Sequence, residues 1–333
     1  MGIGHVSGAR CALVGPAGKL VLDTMPFTGL VITHPLGELV TDSGAGATAL
    51  ATGAKTNCRR IATREGGIRL QTIADVARET GRATGIMTTD KITGATPAPF
   101  VAHVEDRGQQ GDIAAQIVAS RVDVALGTAR QWFLPKTVPD GEREDGRDLI
   151  AEARKRGYDV VTTAEEMDKS KAGKLLGLFA SIAYEDPGGG GPTMAQMTSK
   201  AIAILSRNKK GFFLMAEEAH IDGAGHSHNQ PQLEQYMQSL DDAVRVGLDF
   251  AKKHGDTLVL VTADHETGGL VVRNPEQATE KWKAVWALGG HSANMVPLYA
   301  YGPGAELFSG THQNTDVPKI IAGLWGRKLK TAD

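Results

Sequence analysis

The chain has 333 residues, of which 41% are apolar and 22% charged, enough to bury a sizeable core and typical of globular proteins. Its 36 Lys and Arg nearly balance its 38 Asp and Glu, leaving a formal net charge of −2. That gives no electrostatic reason for a nucleic-acid or anionic-membrane partner, so an anionic substrate has to be held by local charge. No run approaches the roughly 20 apolar residues that span a bilayer, and no basic segment leading into an apolar one marks an export signal at the start. Cys11 and Cys58 allow at most one disulfide.

The first residues, Met1-Gly-Ile-Gly-His, are expected to form a loop with no strand before it. Apolar β-rich runs then alternate with segments of helical period. A strand is expected over 29–33, helices over 44–54 and 70–80, and a strand over 83–88. A helix over 109–120, a strand over 122–126 and a helix over 145–156 follow. Strands over 158–162 and 175–180 precede a helix over 193–208 and a strand over 211–215. The last third is expected to hold a helix over 232–254, strands over 257–262 and 296–301, and a helix over 317–324. Residues 132–146, with Pro135 and Pro139, and 186–192, with a four-glycine run, are expected to be surface loops. Continuous apolar strands separated by long helices predict an α/β fold, a three-layer sandwich around a mostly parallel sheet, as one domain over 1–333. In such sheets ligands bind beyond the carboxyl ends of the strands.

Four stretches carry chemistry at those ends. In Thr41-Asp-Ser-Gly-Ala-Gly-Ala, Ser43 stands where an extended piece meets a helix of small residues. A helix N-terminus with free N–H groups suits a tetrahedral anion on Ser43, although Ser43 or Asp42 also serves as a plain helix cap. In Glu217-Glu-Ala-His-Ile-Asp-Gly-Ala-Gly-His, Asp222 and His226 are four apart and share a helical face able to grip one cation, with Glu217 and Glu218 adding carboxylates nearby. The strand over 257–262 delivers Asp264 and His265 together, and His291 sits among small residues ahead of another strand. Alone, the Ser43 stretch reads first as a helix cap, Asp264 and His265 also read as a cap and a solvated histidine, and His291 is a weak signal, whereas a strand ending in Glu-Glu before Asp222 and His226 favours metal over a polar loop. Together, Asp222, His226, Asp264, His265 and His291 are about as many nitrogen and oxygen donors as two zinc ions need. Glu217 is a hard donor suited to magnesium. Thr96 adds a hydroxyl and Arg107 a guanidinium able to clamp phosphate, while a lone arginine is more often simply a surface charge.

On these motifs and their order the sequence resembles the alkaline phosphatase family over nearly its whole length. The resemblance implies a phosphomonoester hydrolase with Ser43 as nucleophile and Arg107 holding the phosphoryl oxygens. Asp222, His226 and His291 would hold one zinc, Asp264 and His265 the second, and Glu217 with Thr96 a magnesium. It also implies small phosphate esters as substrates, a homodimer, and work in the periplasm or outside the cell. The chain departs from the family in two places. It begins at the Met-Gly of a Gly-Asp-Gly-Met-Gly turn, so the family's first strand and its metal-bridging aspartate are missing from this sequence. Gly94 stands where relatives often place Asp or His near the magnesium. Two other readings stay open: a metal-stabilised non-catalytic or impaired homologue lacking that aspartate, and a relative acting on phosphodiesters. A sulfatase is disfavoured because Asp-Ser43-Gly does not match its local motif. A plain α/β domain with incidental histidines ranks last.

Overall fold

The computed structural model describes residues 1–184, 186, 188–277 and 280–330. In chain order, helix α1 (Ile3–Leu13) precedes strand β1 (Phe27–Ile32), helices α2 (Ser43–Thr52) and α3 (Ile73–Glu79), and strand β2 (Ala83–Lys91). Next come α4 (Gln110–Ala119), β3 (Val124–Thr128), α5 (Leu149–Lys155), β4 (Asp159–Val161), α6 (Ala164–Lys169) and β5 (Leu175–Leu178). Helix α7 (Met194–Leu205), strand β6 (Phe212–Glu217), and helices α8 (His220–His226) and α9 (Gln230–His254) follow. Short strands β7 (Val259–Val261), β8 (Glu266–Thr267), β9 (Leu270–Arg273), β10 (Lys283–Trp286) and β11 (His291–Ser292) lead to β12 (Val296–Tyr301), β13 (Gly310–Gln313) and α10 (Asp316–Leu324).

Helix ends follow local chemistry. Thr72 and Asp75 cap α3 reciprocally, each side chain accepting the other's backbone N–H. Asn229 caps α9 by accepting the Gln232 N–H at 3.1 Å, which starts that helix two residues before the expected 232 and leaves Pro231 in the first turn, where its missing N–H costs nothing. Gly255, at φ +78, ends it. Helix α5 begins at Leu149 rather than 145 because Asp148 caps it and Arg143 ties Asp145 into the preceding loop.

Five parallel strands in the order β4-β5-β3-β2-β6 make the first sheet. The strand period of two sorts their side chains onto two faces. Ile86, Ala125 and Leu176 join Ile73, Ile113 and Ile117 of α3 and α4 in one core. Their neighbours Met87, Val124, Leu126 and Leu175 join Met194, Met197 and Ala201 of α7 in another. Helices therefore cover both faces, as the three-layer expectation requires. A second sheet, β13-β1-β12-β7, runs alongside, with β12 antiparallel to β1 and β7. Between the β6 edge of one sheet and the β7 edge of the other runs a cavity of about 1130 Å³, lined by Phe213, Met215, Leu258 and Leu260. No strand among the described residues bridges those two edges.

The opening residues depart from expectation. Instead of a loop, 3–13 form α1, which buries His5, Val6, Ala9 and Ala12 against α9 and β9. Gly8 lies flat on Trp282, where an added Cβ would sit 2.5 Å from the ring. Glycine-rich sequence disfavours a helix intrinsically, by about 1 kcal/mol per Gly, so packing decides here. The hairpin β9–β10 that holds Trp282's neighbours was also not expected. The loops over 132–146 and 186–192 contain no strand or α-helix among the described residues; Pro187 lies outside them. Both cysteines are free thiols.

Candidate metal and phosphate centre

Helix α2 begins at Ser43 because Asp42 caps it, its Oδ1 accepting the Ala45 N–H at 3.0 Å. The same carboxylate accepts the Arg59 N–H at 3.1 Å and pairs through Oδ2 with Arg107 Nη1 at 3.0 Å. Burial alone would raise the Asp42 pKa, but the two N–H groups and the guanidinium outweigh it and hold the carboxyl below its usual range. The small residues of α2 admit protein backbone rather than an open ligand space. An added Cβ at Gly46 would lie 2.8 Å from the carbonyl oxygen of Asp264, and one at Gly44 would lie 3.2 Å from that of Arg60. This close approach sets the strand-end pair Asp264-His265 directly beside the serine. Ser43 Oγ lies 3.1 Å from His265 Nε2, which is 3.3 Å from Asp264 Oδ2.

The second cluster joins α8 to the β8–β11 pair. Asp222 and His226, one turn apart on α8, meet His291 at the start of β11. His226 Nε2 is 3.1 Å from His291 Nε2 and 3.5 Å from Asp222 Oδ2, and His291 Nε2 is 3.4 Å from Asp222 Oδ1. Other contacts orient the donors from behind: His226 Nδ1 faces the Gly289 carbonyl at 2.9 Å, and His291 Nδ1 faces that of Thr41 at 2.8 Å. His265 and His291 stack with centroids 3.5 Å apart, joining the two clusters.

Charge follows geometry. Asp222 is held below the normal carboxylate range: burial opposes this, but His291, His265 and the Thr267 hydroxyl more than compensate. His265 is 1% exposed, and desolvation lowers its pKa, which keeps the imidazole neutral with a lone pair to offer. For His291, burial pulls the pKa down but the bond to Asp222 and the Thr41 carbonyl raise it overall. Glu217, at the end of β6, accepts the Thr88 hydroxyl at 2.5 Å and a bond from Thr96. Burial pushes its pKa up to about 8, the threonine hydroxyls pull the other way, and the nearby Asp264 and Asp90 add to the rise.

Do these residues fit metal ions? Donor atoms about 2.0–2.1 Å from a tetrahedral zinc stand about 3.3–3.4 Å apart. Asp222, His226 and His291 each offer one donor atom within 4.8 Å of the others; the two Nε2 atoms stand 3.1 Å apart, and Asp222 turns Oδ2 to His226 at 3.5 Å and Oδ1 to His291 at 3.4 Å. Each ring's Nδ1 faces a backbone carbonyl and so carries the proton of the neutral imidazole, which turns the two Nε2 lone pairs toward one point, the arrangement a cation accepts. Asp264 and His265 show the same spacing, with Ser43 Oγ as nearest neighbour. The Glu217 site, an enclosed carboxylate among hydroxyls and carboxylates, has the oxygen donors of a magnesium site. The donor sets fit.

All nine residues singled out from the sequence, Ser43, Arg107, Asp222, His226, His291, Asp264, His265, Glu217 and Thr96, gather in this region, most of them lining the cavity. Glu218, the other carboxylate named with them, also borders the cavity but is engaged elsewhere. It turns away, accepting the Thr89 hydroxyl at 2.7 Å and that of Ser239 on α9 at 2.5 Å. Alternate residues of an extended strand face opposite sides, so only Glu217 reaches the site. Three contributors were not anticipated. Asp42 anchors Arg107, and Asp90 acts on Glu217. Thr267 donates to Asp222 Oδ1 and lies 3.2 Å from His265 Nδ1. The i, i+2 spacing of His265 and Thr267 on one extended segment was the signal available for the last.

Thr267→Val keeps the shape but removes the hydroxyl that orients Asp222. It is expected to weaken zinc binding by about 10- to 100-fold, read by competition with a chromogenic chelator, with little change in fold.

A sequence profile described as alkaline phosphatase matches residues 4–285. The chain is 31% identical to alkaline phosphatase 3 of Bacillus subtilis (strain 168), covering 100% of this chain and 88% of that protein. It is 33% identical to the streptomycin-6-phosphate phosphatase of Streptomyces griseus, over 98% of this chain and 88% of that one. Among solved structures, the alkaline phosphatase of the Antarctic bacterium TAB5 superposes with a TM-score of 0.86 at 30% identity, covering 98% and 95% of the two chains. Variants of that enzyme are described with magnesium bound.

Proposed function

The chain belongs to the alkaline phosphatase family and is a phosphomonoester hydrolase, and we propose that it acts through a phosphoserine on Ser43 at a site for two zinc ions and one magnesium. The observation that carries this reading is the position of Ser43 Oγ, 3.1 Å from His265 Nε2 at the start of a helix whose cap, Asp42, also grips Arg107.

Asp222, His226 and His291 would hold one zinc, Asp264 and His265 the other, and Glu217 with Thr96 the magnesium; the magnesium described in variants of the Antarctic relative supports the third. Bound there, the ions would lower the pKa of the serine hydroxyl and of a water and offset charge on phosphate. Ser43 supplies the oxygen that displaces the alcohol of the ester, and water later cleaves the phosphoserine to free phosphate and the original hydroxyl. Arg107 presents a planar fork to the phosphoryl oxygens, and its bond to Asp42 fixes that fork beside Ser43. Burial keeps His265 neutral, as a donor to metal has to be. The N-terminus of α2 adds partial positive charge where the phosphate would sit.

The test compares p-nitrophenyl phosphate with its bis ester, using protein reconstituted with zinc and magnesium. Turnover of the monoester at least about 10²-fold faster than the diester is expected, because Arg107 and the helix end complement a dianion. Faster diester cleavage would make the chain a phosphodiesterase relative instead. Stoichiometric metal without phosphate release would make it a scaffold.

A further inference from the structure

We propose that Arg59 is a positioning residue for the phosphate clamp: its guanidinium holds Asp106 off Arg107 and so keeps Arg107 available to phosphate. This rests on the reading of Arg107 as the phosphate-binding arginine.

Arg59 occupies left-handed backbone, φ +72, which a residue with a Cβ adopts only when its surroundings hold it there. Four bonds hold it. Its N–H donates to Asp42 Oδ1 at 3.1 Å, and its carbonyl accepts the Arg107 N–H at 2.7 Å. Its Nε and Nη2 each donate to an oxygen of Asp106, both at 2.8 Å, in parallel fork-to-fork geometry. The turn therefore joins the cap of the serine helix to the segment carrying the clamp, and closes a ring through Asp42, Arg59, Asp106 and Arg107.

Asp106 is the carboxylate next to Arg107 in the chain, and a carboxylate presents to a guanidinium the same paired oxygens that phosphate does. In the structure both of its oxygens are engaged. Oδ2 takes Arg59 Nε, while Oδ1 takes Arg59 Nη2 and the Gly108 N–H at 2.7 Å. Its pKa is lowered first by the bond to Arg59 and then by Gly108, and Arg107 acts on it as a further charge. With the Arg59 side chain gone, Arg107 becomes the cation best placed to capture Asp106. That capture would compete with phosphate for the same fork.

A role in stability is a poor explanation for the pair. The side chains of Arg59 and Asp106 are 60% and 45% exposed, and ion pairs so exposed contribute little to folding. Glycine separates the two roles, because it accepts φ +72 without strain and keeps both backbone bonds while losing the guanidinium.

The experiment measures binding of inorganic phosphate by calorimetry, KM and kcat for p-nitrophenyl phosphate, and the thermal midpoint. The proteins, all loaded with zinc and magnesium, are wild type, Arg59→Gly, Arg59→Gly/Asp106→Ala and Arg107→Ala. Arg59→Gly is expected to weaken phosphate binding and raise KM by about two- to fivefold, the scale of a surface charge pair, with kcat little changed and no fall in midpoint. Adding Asp106→Ala should restore most of that affinity. Arg59→Gly binding phosphate like wild type, or a double variant no better than Arg59→Gly, overturns the proposal. Arg107→Ala binding phosphate like wild type would overturn the clamp reading itself, whereas a weakened Arg107→Ala beside an unaffected Arg59→Gly sinks only the role of Arg59.

Discussion

Ser43→Ala should lower kcat for p-nitrophenyl phosphate by about 10⁴-fold or more, the scale seen when a nucleophile that works as part of a unit is removed. The loss should come from chemistry alone. Asp42 rather than the serine side chain caps α2, so the helix keeps its start. The donors Asp222, His226, His291, Asp264 and His265 are untouched, so metal content should stay at the wild-type level. Acid quenching during turnover should trap radiolabelled phosphate on wild type and none on the variant. A variant that retains near-normal turnover would remove Ser43 from the reaction and leave direct attack by water.

The second large effect is expected at His291. Its Nε2 stands 3.4 Å from Asp222 and 3.1 Å from His226, and its Nδ1 is oriented by the Thr41 carbonyl, two residues before the serine. His291→Ala should lower zinc affinity by at least about 10²-fold, beyond the usual effect of losing an orienting group, and activity should fall with it. The diagnostic result is a ratio: elemental analysis should show about one zinc fewer per chain, and raised zinc concentrations should recover part of the rate. Unchanged stoichiometry would remove His291 from the ligand set. In the absence of metal the same change should lower the thermal midpoint modestly, because it forfeits the bonds of His291 to Asp222 and to the Thr41 carbonyl.

Periodicity and residue type located most of the helices and both long edges of the cavity. The strand over 296–301 is β12 to the residue, and 232–254 is α9 but for the turn that Asn229 and Pro231 add. Such runs are legible because core burial repeats at the period of the element itself. The first helix was not legible. Two glycines, a serine and β-branched Ile3 and Val6 weaken its first half, and Trp282, Leu270 and the flank of α9 give it a surface to cover. The short strands β8 and β11 were hidden for a related reason: two residues carry no period, and their pairing is decided by a partner some 25 positions away.

For the site, sequence alone determined which donors exist: a serine at a helix start, carboxylates and imidazoles just past strand ends, and an arginine beyond them. Side-chain chemistry and strand polarity are local properties, written in order along the chain. Which donors face one point was decided by tertiary structure. Glu217 enters the site while Glu218 turns to Ser239, because the register of β6 against β2 sets which side each faces. Gly46 admits the Asp264 turn and so brings His265 to Ser43, and the Arg59 turn joins Asp42 to Arg107. Distances between residues tens or hundreds of positions apart depend on how closely backbones pack, and that is fixed only when the layers close on one another.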